Sequence, residues 1–270
     1  SVMQIAAWFI PAFHILFGFM VYGAARVWGL TSLGAATATF MTVTLNWVQQ
    51  DYYSPQATMM LLLPGIFIII GLSRERPTAT ALLLLLFATG AITHQLTPFW
   101  LFGAIGLLVI SRKFKPWWVL IPLAAILIGQ LIYNWDEVSR YQLFSSDILD
   151  NTKSNITRYG VDPVLGQKIV SYGNKALAAS VWGSTALVLL FRLWKRMPFW
   201  ALAVISLSPM AVLGGQSYGG EAIFRVYLYA LPGCAVLIAP LAVAAVTVRR
   251  SVHRAATVVP ATGPRSRSRA

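Results

Sequence analysis

Charge is what this chain has least of. Only 11% of its 270 residues are charged and 57% are hydrophobic, whereas an ordinary soluble domain is about 25% charged. So much apolar surface excludes a conventional water-soluble domain, and the chain reads as one multi-pass unit of the cell membrane. Cysteine is nearly absent. Cys234 stands alone in an apolar run, which excludes an internal disulfide and a cysteine-rich metal cluster. His14, His94 and His253 share no spacing, so a zinc site made of protein ligands alone is not expected. The apolar runs lack period-2 alternation, which argues against a β-barrel. A formal charge of +13 would suggest nucleic acid if the cations formed a patch. They sit between the apolar runs and in the tail instead, and no nucleic-acid partner is expected.

What is present is a series of apolar segments, spanning roughly 2–23, 29–45, 57–72, 78–93, 99–110, 117–133, 176–191, 199–213 and 226–248. They predict an all-α, polytopic transmembrane bundle of about nine spans over residues 1–248, with 249–270 as a basic disordered tail in contact with anionic membrane lipid. Several segments fall short of the ~20 residues that cross ~30 Å of hydrocarbon. The least secure pair is 78–93 with 99–110, because 94–98 also reads as a hairpin dipping into the membrane.

Cations set the orientation. Arg26, the 74–76 and 112–115 links, Arg192, Lys195, Arg196 and the tail hold 15 of the 21 basic residues and a single acid, Glu75. The alternate links hold six basic residues and seven acids, so the first set is expected in the cytoplasm and the N-terminus outside. Residues 135–175 then form an extracytoplasmic cap with balanced charge and short amphipathic helices. Asn155-Ile156-Thr157 within it fits a glycosylation acceptor, a pattern that is common by chance. The chain opens on Ser1 and enters an apolar run without a basic leader, so it is expected to be the C-terminal piece of a longer protein.

The same sorting puts every chemically interesting residue outside. Gln49-Gln50-Asp51-Tyr52-Tyr53-Ser54-Pro55-Gln56 gathers a carboxylate, amides, phenols and a hydroxyl between two apolar runs. Asp51 is the only acid before residue 72 and reads as a general base, or else as the cap of the next helix or a residue that solvates the loop. Tyr52 and Tyr53 offer rings for a sugar, and Gln56 a polar contact. Glu221 and Arg225 are four apart and read either as an ordinary helix ion pair or as an acid/base beside a fork for phosphate. Tyr218 lies among Gly214, Gly215, Gly219 and Gly220, and His94-Gln95-Leu96-Thr97-Pro98 supplies a third wall through His94 and Gln95. Asp51, Glu221 and donor phosphates could together hold a divalent cation, which no other feature of the sequence supports. Pro11 and His14 read as a bend or packing point, and Trp47, Trp117, Trp118, Trp135 and Trp200 as interfacial anchors.

Three stretches together carry a resemblance: Asn46 to Gln56, His94 to Pro98, and Tyr218-Gly219-Gly220-Glu221 through Arg225-Val226-Tyr227-Leu228-Tyr229-Ala230-Leu231-Pro232. They look like a group of large actinobacterial polytopic membrane proteins that is similar in layout to GT-C type glycosyltransferases. The resemblance implies transfer of a sugar from a polyprenyl-phosphate donor to a glycan acceptor on the extracytoplasmic face. It also implies Asp51 as base, Arg225 and His94 on phosphate, and Tyr52, Tyr53 and Tyr218 on the sugar. In those enzymes the key acid follows the first span, whereas Asp51 follows the second visible one, so the principal base is expected upstream. A polysaccharide polymerase or ligase, a transporter and a non-enzymatic scaffold are the alternatives. The near-neutral 135–175 segment argues against a polymerase or ligase, and the absence of polar mid-span residues and repeated halves against a transporter.

Overall fold

A computed structural model describes residues 2–48, 54–72, 78–94, 97–139, 164–214 and 222–257, and all of its regular structure there is helical. In chain order the helices are α1 (Val2–Val27), α2 (Ser32–Thr44), α3 (Pro55–Leu72), α4 (Ala79–Thr93), α5 (Thr97–Ile110), α6 (Leu120–Tyr133), the short α7 (Trp135–Val138), α8 (Leu165–Trp194), α9 (Trp200–Leu207) and α10 (Ala222–Thr257). Tight 3₁₀ turns lead into α6 at Trp117–Val119 and continue α9 at Ser208–Gly214. Each apolar segment of the sequence thus became a helix, because a backbone surrounded by apolar side chains must satisfy its own hydrogen bonds.

Length divides them. Ala7–Val27, Pro55–Leu72, Leu165–Trp194 and Ala222–Thr247 are long and apolar enough to cross a membrane. The helices Ala79–Thr93, Thr97–Ile110, Trp117–Tyr133 and Trp200–Gly214 are apolar but shorter. At 1.5 Å per residue, α4 and α5 rise only about 22 Å each, against roughly 30 Å of hydrocarbon. The outer surface is apolar, with Trp8, Phe19, Phe40, Ile92 and Leu187 all well exposed.

α10 is the axis of the core. Tyr227, Tyr229, Ala230, Cys234 and Ala239 are almost wholly buried on it, against α2, α8, α9 and the 3₁₀ segment. Gly233 lets α9 close on this helix: a Cβ built there would lie 2.9 Å from Ser206 Oγ and 3.0 Å from Ser206 Cα. On the other side α1, α3 and α4 pack in turn, around Phe17, Val21, Met59, Leu63, Ile66, Leu83 and Phe87.

Three helices end alike. After α1, α5 and α8 the chain turns back through paired bonds: Gly29 N–H to Arg26 O and Leu30 N–H to Ala25 O, Arg112 N–H to Val109 O and Lys113 N–H to Leu108 O, Arg196 N–H to Leu193 O and Met197 N–H to Arg192 O. This closure needs a left-handed residue, normally glycine. Gly29 (φ 91°) obeys the rule, whereas Arg112 (φ 56°) and Arg196 (φ 54°) accept a left-handed backbone at a cost of roughly 1–2 kcal/mol each. A cation's attraction to a helix C-terminus returns about 0.3–1 kcal/mol, which does not cover that cost.

Three expectations need correction. α8 begins at Leu165, so 165–175 extends a long helix instead of forming a separate surface piece. The Gln167 side chain, accepting from Val164 N–H at 3.3 Å, holds its first turn. α10 continues to Thr257, past the point where the disordered tail was expected, because 249–257 contains no glycine or proline to stop it. Trp47 is no surface anchor. It packs edge-on against Phe224 at 5.4 Å and beside Tyr227 at 5.5 Å, while Trp117, Trp118, Trp135 and Trp200 are exposed.

Candidate functional site

His94 ends α4 in an extended conformation (φ −142°, ψ 136°), its N–H bonded to Gly90 O. Extended backbone points the ring away from α4 and toward the start of α5. There Nδ1 lies 2.9 Å from Thr97 Oγ1 and 3.4 Å from Thr97 N, so the imidazole closes the short link between the helices. Pro98 suits the second position of α5, where its missing N–H costs nothing.

Arg225 arrives from far along the chain, in the first turn of α10. The residue is buried, 9% exposed, and its Nη1 lies 3.4 Å from His94 Nε2. Arginine only donates, so in the tautomer that pairs His94 with Arg225 the Nε2 accepts and the ring proton sits on Nδ1; the other tautomer accepts the Thr97 N–H at Nδ1 instead. In the Arg225-paired tautomer Nδ1–H donates to Thr97 Oγ1, and the Thr97 hydroxyl donates onward to the Tyr229 oxygen at 3.3 Å. The hydrogen bonds therefore run in one direction. Tyr229 is one helical turn beyond Arg225 and Trp100 nearly one turn beyond Thr97, so helix periodicity aligns each pair on one face, and packing of α5 beside α10 brings the two pairs together. The Trp100 and Tyr229 rings stack at 5.6 Å with 4° between their planes, and Trp100 Nε1 donates to Ser208 Oγ at 2.9 Å.

Electrostatics keeps the imidazole neutral. Burial, and then the positive Arg225, push the His94 pKa down to about 4. At neutral pH His94 is an acceptor that orients a guanidinium, and it is too weak a base for proton abstraction.

Two cavities lie beside this network. One, of about 310 Å³, is lined by His94, Thr93, Phe99, Gln130 and Asn134 at the ends of α4 and α6. The other, of about 620 Å³, is largely apolar and runs along α5 past Phe99, Trp100, Leu107 and Val212 to Ser208. Phe99 belongs to both walls.

Of the residues the sequence nominated, the structure brings His94 and Arg225 together. Gln56 is half-buried in the first turn of α3. Asp51, Tyr52, Tyr53, Gln95, Tyr218 and Glu221 lie outside the described residues. The alternative role for Asp51, capping the next helix, is filled by Ser54, whose Oγ accepts from Ala57 N–H at 3.2 Å. No group of three or more His, Cys, Asp or Glu that could hold a metal occurs among the described residues.

The comparisons with known proteins return nothing. No family model matches the chain, and neither a curated protein nor a solved structure is similar to it. The site rests on its own geometry.

Sequence reasoning passed over Thr97, Trp100, Tyr229, Gln130, Asn134 and Ser208 as site residues. A signal existed for Tyr229 and Trp100, at i+4 from Arg225 and i+3 from Thr97. None existed for Gln130 and Asn134, which meet His94 only through the packing of α6 on α4.

Proposed function

We propose that the chain is a multi-pass membrane protein that binds the phosphate of a polyprenyl-linked sugar beside Arg225 and His94, and takes part in moving that sugar to a glycan acceptor. One observation carries the reading: His94, which holds the buried Arg225 guanidinium from behind, lines a polar cavity that shares Phe99 with a longer apolar one. A planar fork suits two phosphate oxygens, the polar cavity suits a sugar, and the apolar one suits a prenyl chain.

In this reading the helices make about nine crossings, with the shorter ones completed by their flanks and the His94 end facing outward. Asp51 takes the proton of an acceptor hydroxyl, and that oxygen bonds to the sugar's anomeric carbon. The bond from that carbon to the phosphate oxygen breaks, and the charge left on the polyprenyl phosphate is held by Arg225. His94 keeps the fork aimed without competing for the proton.

Transfer of a labelled sugar from polyprenyl phosphate, measured in membranes with the full protein, tests this. Arg225→Ala is expected to lower transfer by about 100-fold or more, and Arg225→Lys, a point charge without the fork, by less. Arg225→Ala working at the unmodified rate and normal abundance would remove the phosphate role.

A further inference from the structure

The opposite end of the helices carries a third cavity, of about 360 Å³, that the proposed reaction does not use. Lys113, Arg192 and Arg196 line it together with Trp28, Phe199 and Trp200. These residues come from the link after α1, the end of α5, the end of α8 and the start of α9, so packing, and not sequence proximity, collects three cations around one hollow. Each is held by a defined backbone. Arg192 binds Pro198 O through Nε at 3.0 Å and Nη2 at 2.7 Å, and Lys113 and Arg196 sit in the paired-bond turns that end α5 and α8. Trp28 is fixed by its Nε1–H to Phe67 O at 3.1 Å.

A bland reading is that basic residues simply finish helices and answer their dipoles. It does not account for Arg196 occupying a left-handed position, φ 54°, where glycine fits better, nor for three such cations facing a common space with aromatic walls. The Arg196 fork, the Lys113 ammonium and the charge of Arg192, whose Nε and Nη2 are turned to Pro198 O, suit a phosphate group. Large apolar side chains exposed beside the cavity, Leu193, Trp194 and Met197, suit acyl chains next to it. Basic pockets between membrane helices on the cytoplasmic side bind anionic head groups in general.

We propose that this cavity is a phosphate-binding site occupied by the head group of an anionic phospholipid of the cytoplasmic leaflet. The inference depends on the chain being a membrane bundle with this end inside, but not on sugar transfer, and its test reads lipid alone.

The full chain is reconstituted in phosphatidylcholine nanodiscs with and without phosphatidylglycerol, extracted gently, and the retained lipid is counted by native mass spectrometry. Retained phosphatidylglycerol is expected, falling about tenfold in both Arg196→Gly and Lys113→Gln, the loss of one charged contact of about 1.4 kcal/mol. Arg196→Gly relaxes a left-handed backbone, so its melting temperature should match or exceed that of the unmodified protein, and lipid loss there cannot be put down to misfolding. A second arm adds inorganic phosphate alone. Thermal protection by phosphate, lost in both variants and without retained phosphatidylglycerol, would overturn the lipid source and leave a soluble phosphate as the ligand. Equal phosphatidylglycerol retention in all three proteins would overturn the site.

Discussion

Acid should loosen this protein through one residue, His94. Folded, its pKa is about 4, and unfolded it returns to about 6.5. The folded value is the lower one, so between these two pH values the unfolded chain takes up a proton that the folded chain refuses. Stability from this residue is therefore complete above pH 6.5 and is lost as pH falls toward 4, where the loss levels off. At about 1.4 kcal/mol per pH unit, going from pH 7 to pH 5 costs about 2 kcal/mol. For a chain of this size that is a fall in melting temperature of roughly 4–8 °C. Other groups titrate in the same range, so the informative quantity is a difference. His94→Gln keeps an acceptor for Arg225 but cannot charge, and thermal unfolding of both proteins in one detergent at several pH values isolates the histidine. The unmodified protein should lose about 2 kcal/mol more than the variant between pH 7 and 5. Parallel curves would refute the buried, neutral imidazole and, with it, the direction assigned to the hydrogen bonds from Arg225 to Tyr229.

Further outcomes follow from packing and topology. Gly233→Val should destabilise by about 1–3 kcal/mol in a denaturant titration, because its Cβ meets the Ser206 backbone and not a flexible side-chain end; an unchanged midpoint would mean α9 and α10 do not approach this closely. A cysteine at Ser54 should react with an impermeant maleimide from outside intact cells and one at Ser111 should not. The native Cys234 is fully buried and adds no background. The reverse labelling pattern would invert the proposed orientation.

How much of the candidate site was legible can be judged from two residues. Arg225 stood out in the sequence because a guanidinium opening a long apolar run is costly unless something accommodates it. His94 stood out only as a polar break between apolar runs. That the two meet, 131 positions apart, was not written in either local pattern. Leu165–Lys175 was misjudged for the opposite reason: its polar residues suggested a surface piece, yet it forms the start of α8 because nothing in it breaks a helix that apolar packing stabilises farther on.

By itself, the sequence determined that this protein is built from apolar helices, and roughly where each lies. Those features depend on composition within a window of some twenty residues, and hydrophobicity is additive along such a window. Tertiary structure alone decided which helix ends face one another: that α4, α5 and α10 assemble the His94, Thr97, Arg225 and Tyr229 chain at one end, and that α5, α8 and α9 gather Lys113, Arg192 and Arg196 at the other. Helices that are apolar on nearly every face carry almost no periodic signal of which side meets which neighbour. Their partners are chosen by shape, at places such as Gly233 against Ser206, and shape complementarity exists only once both surfaces are folded.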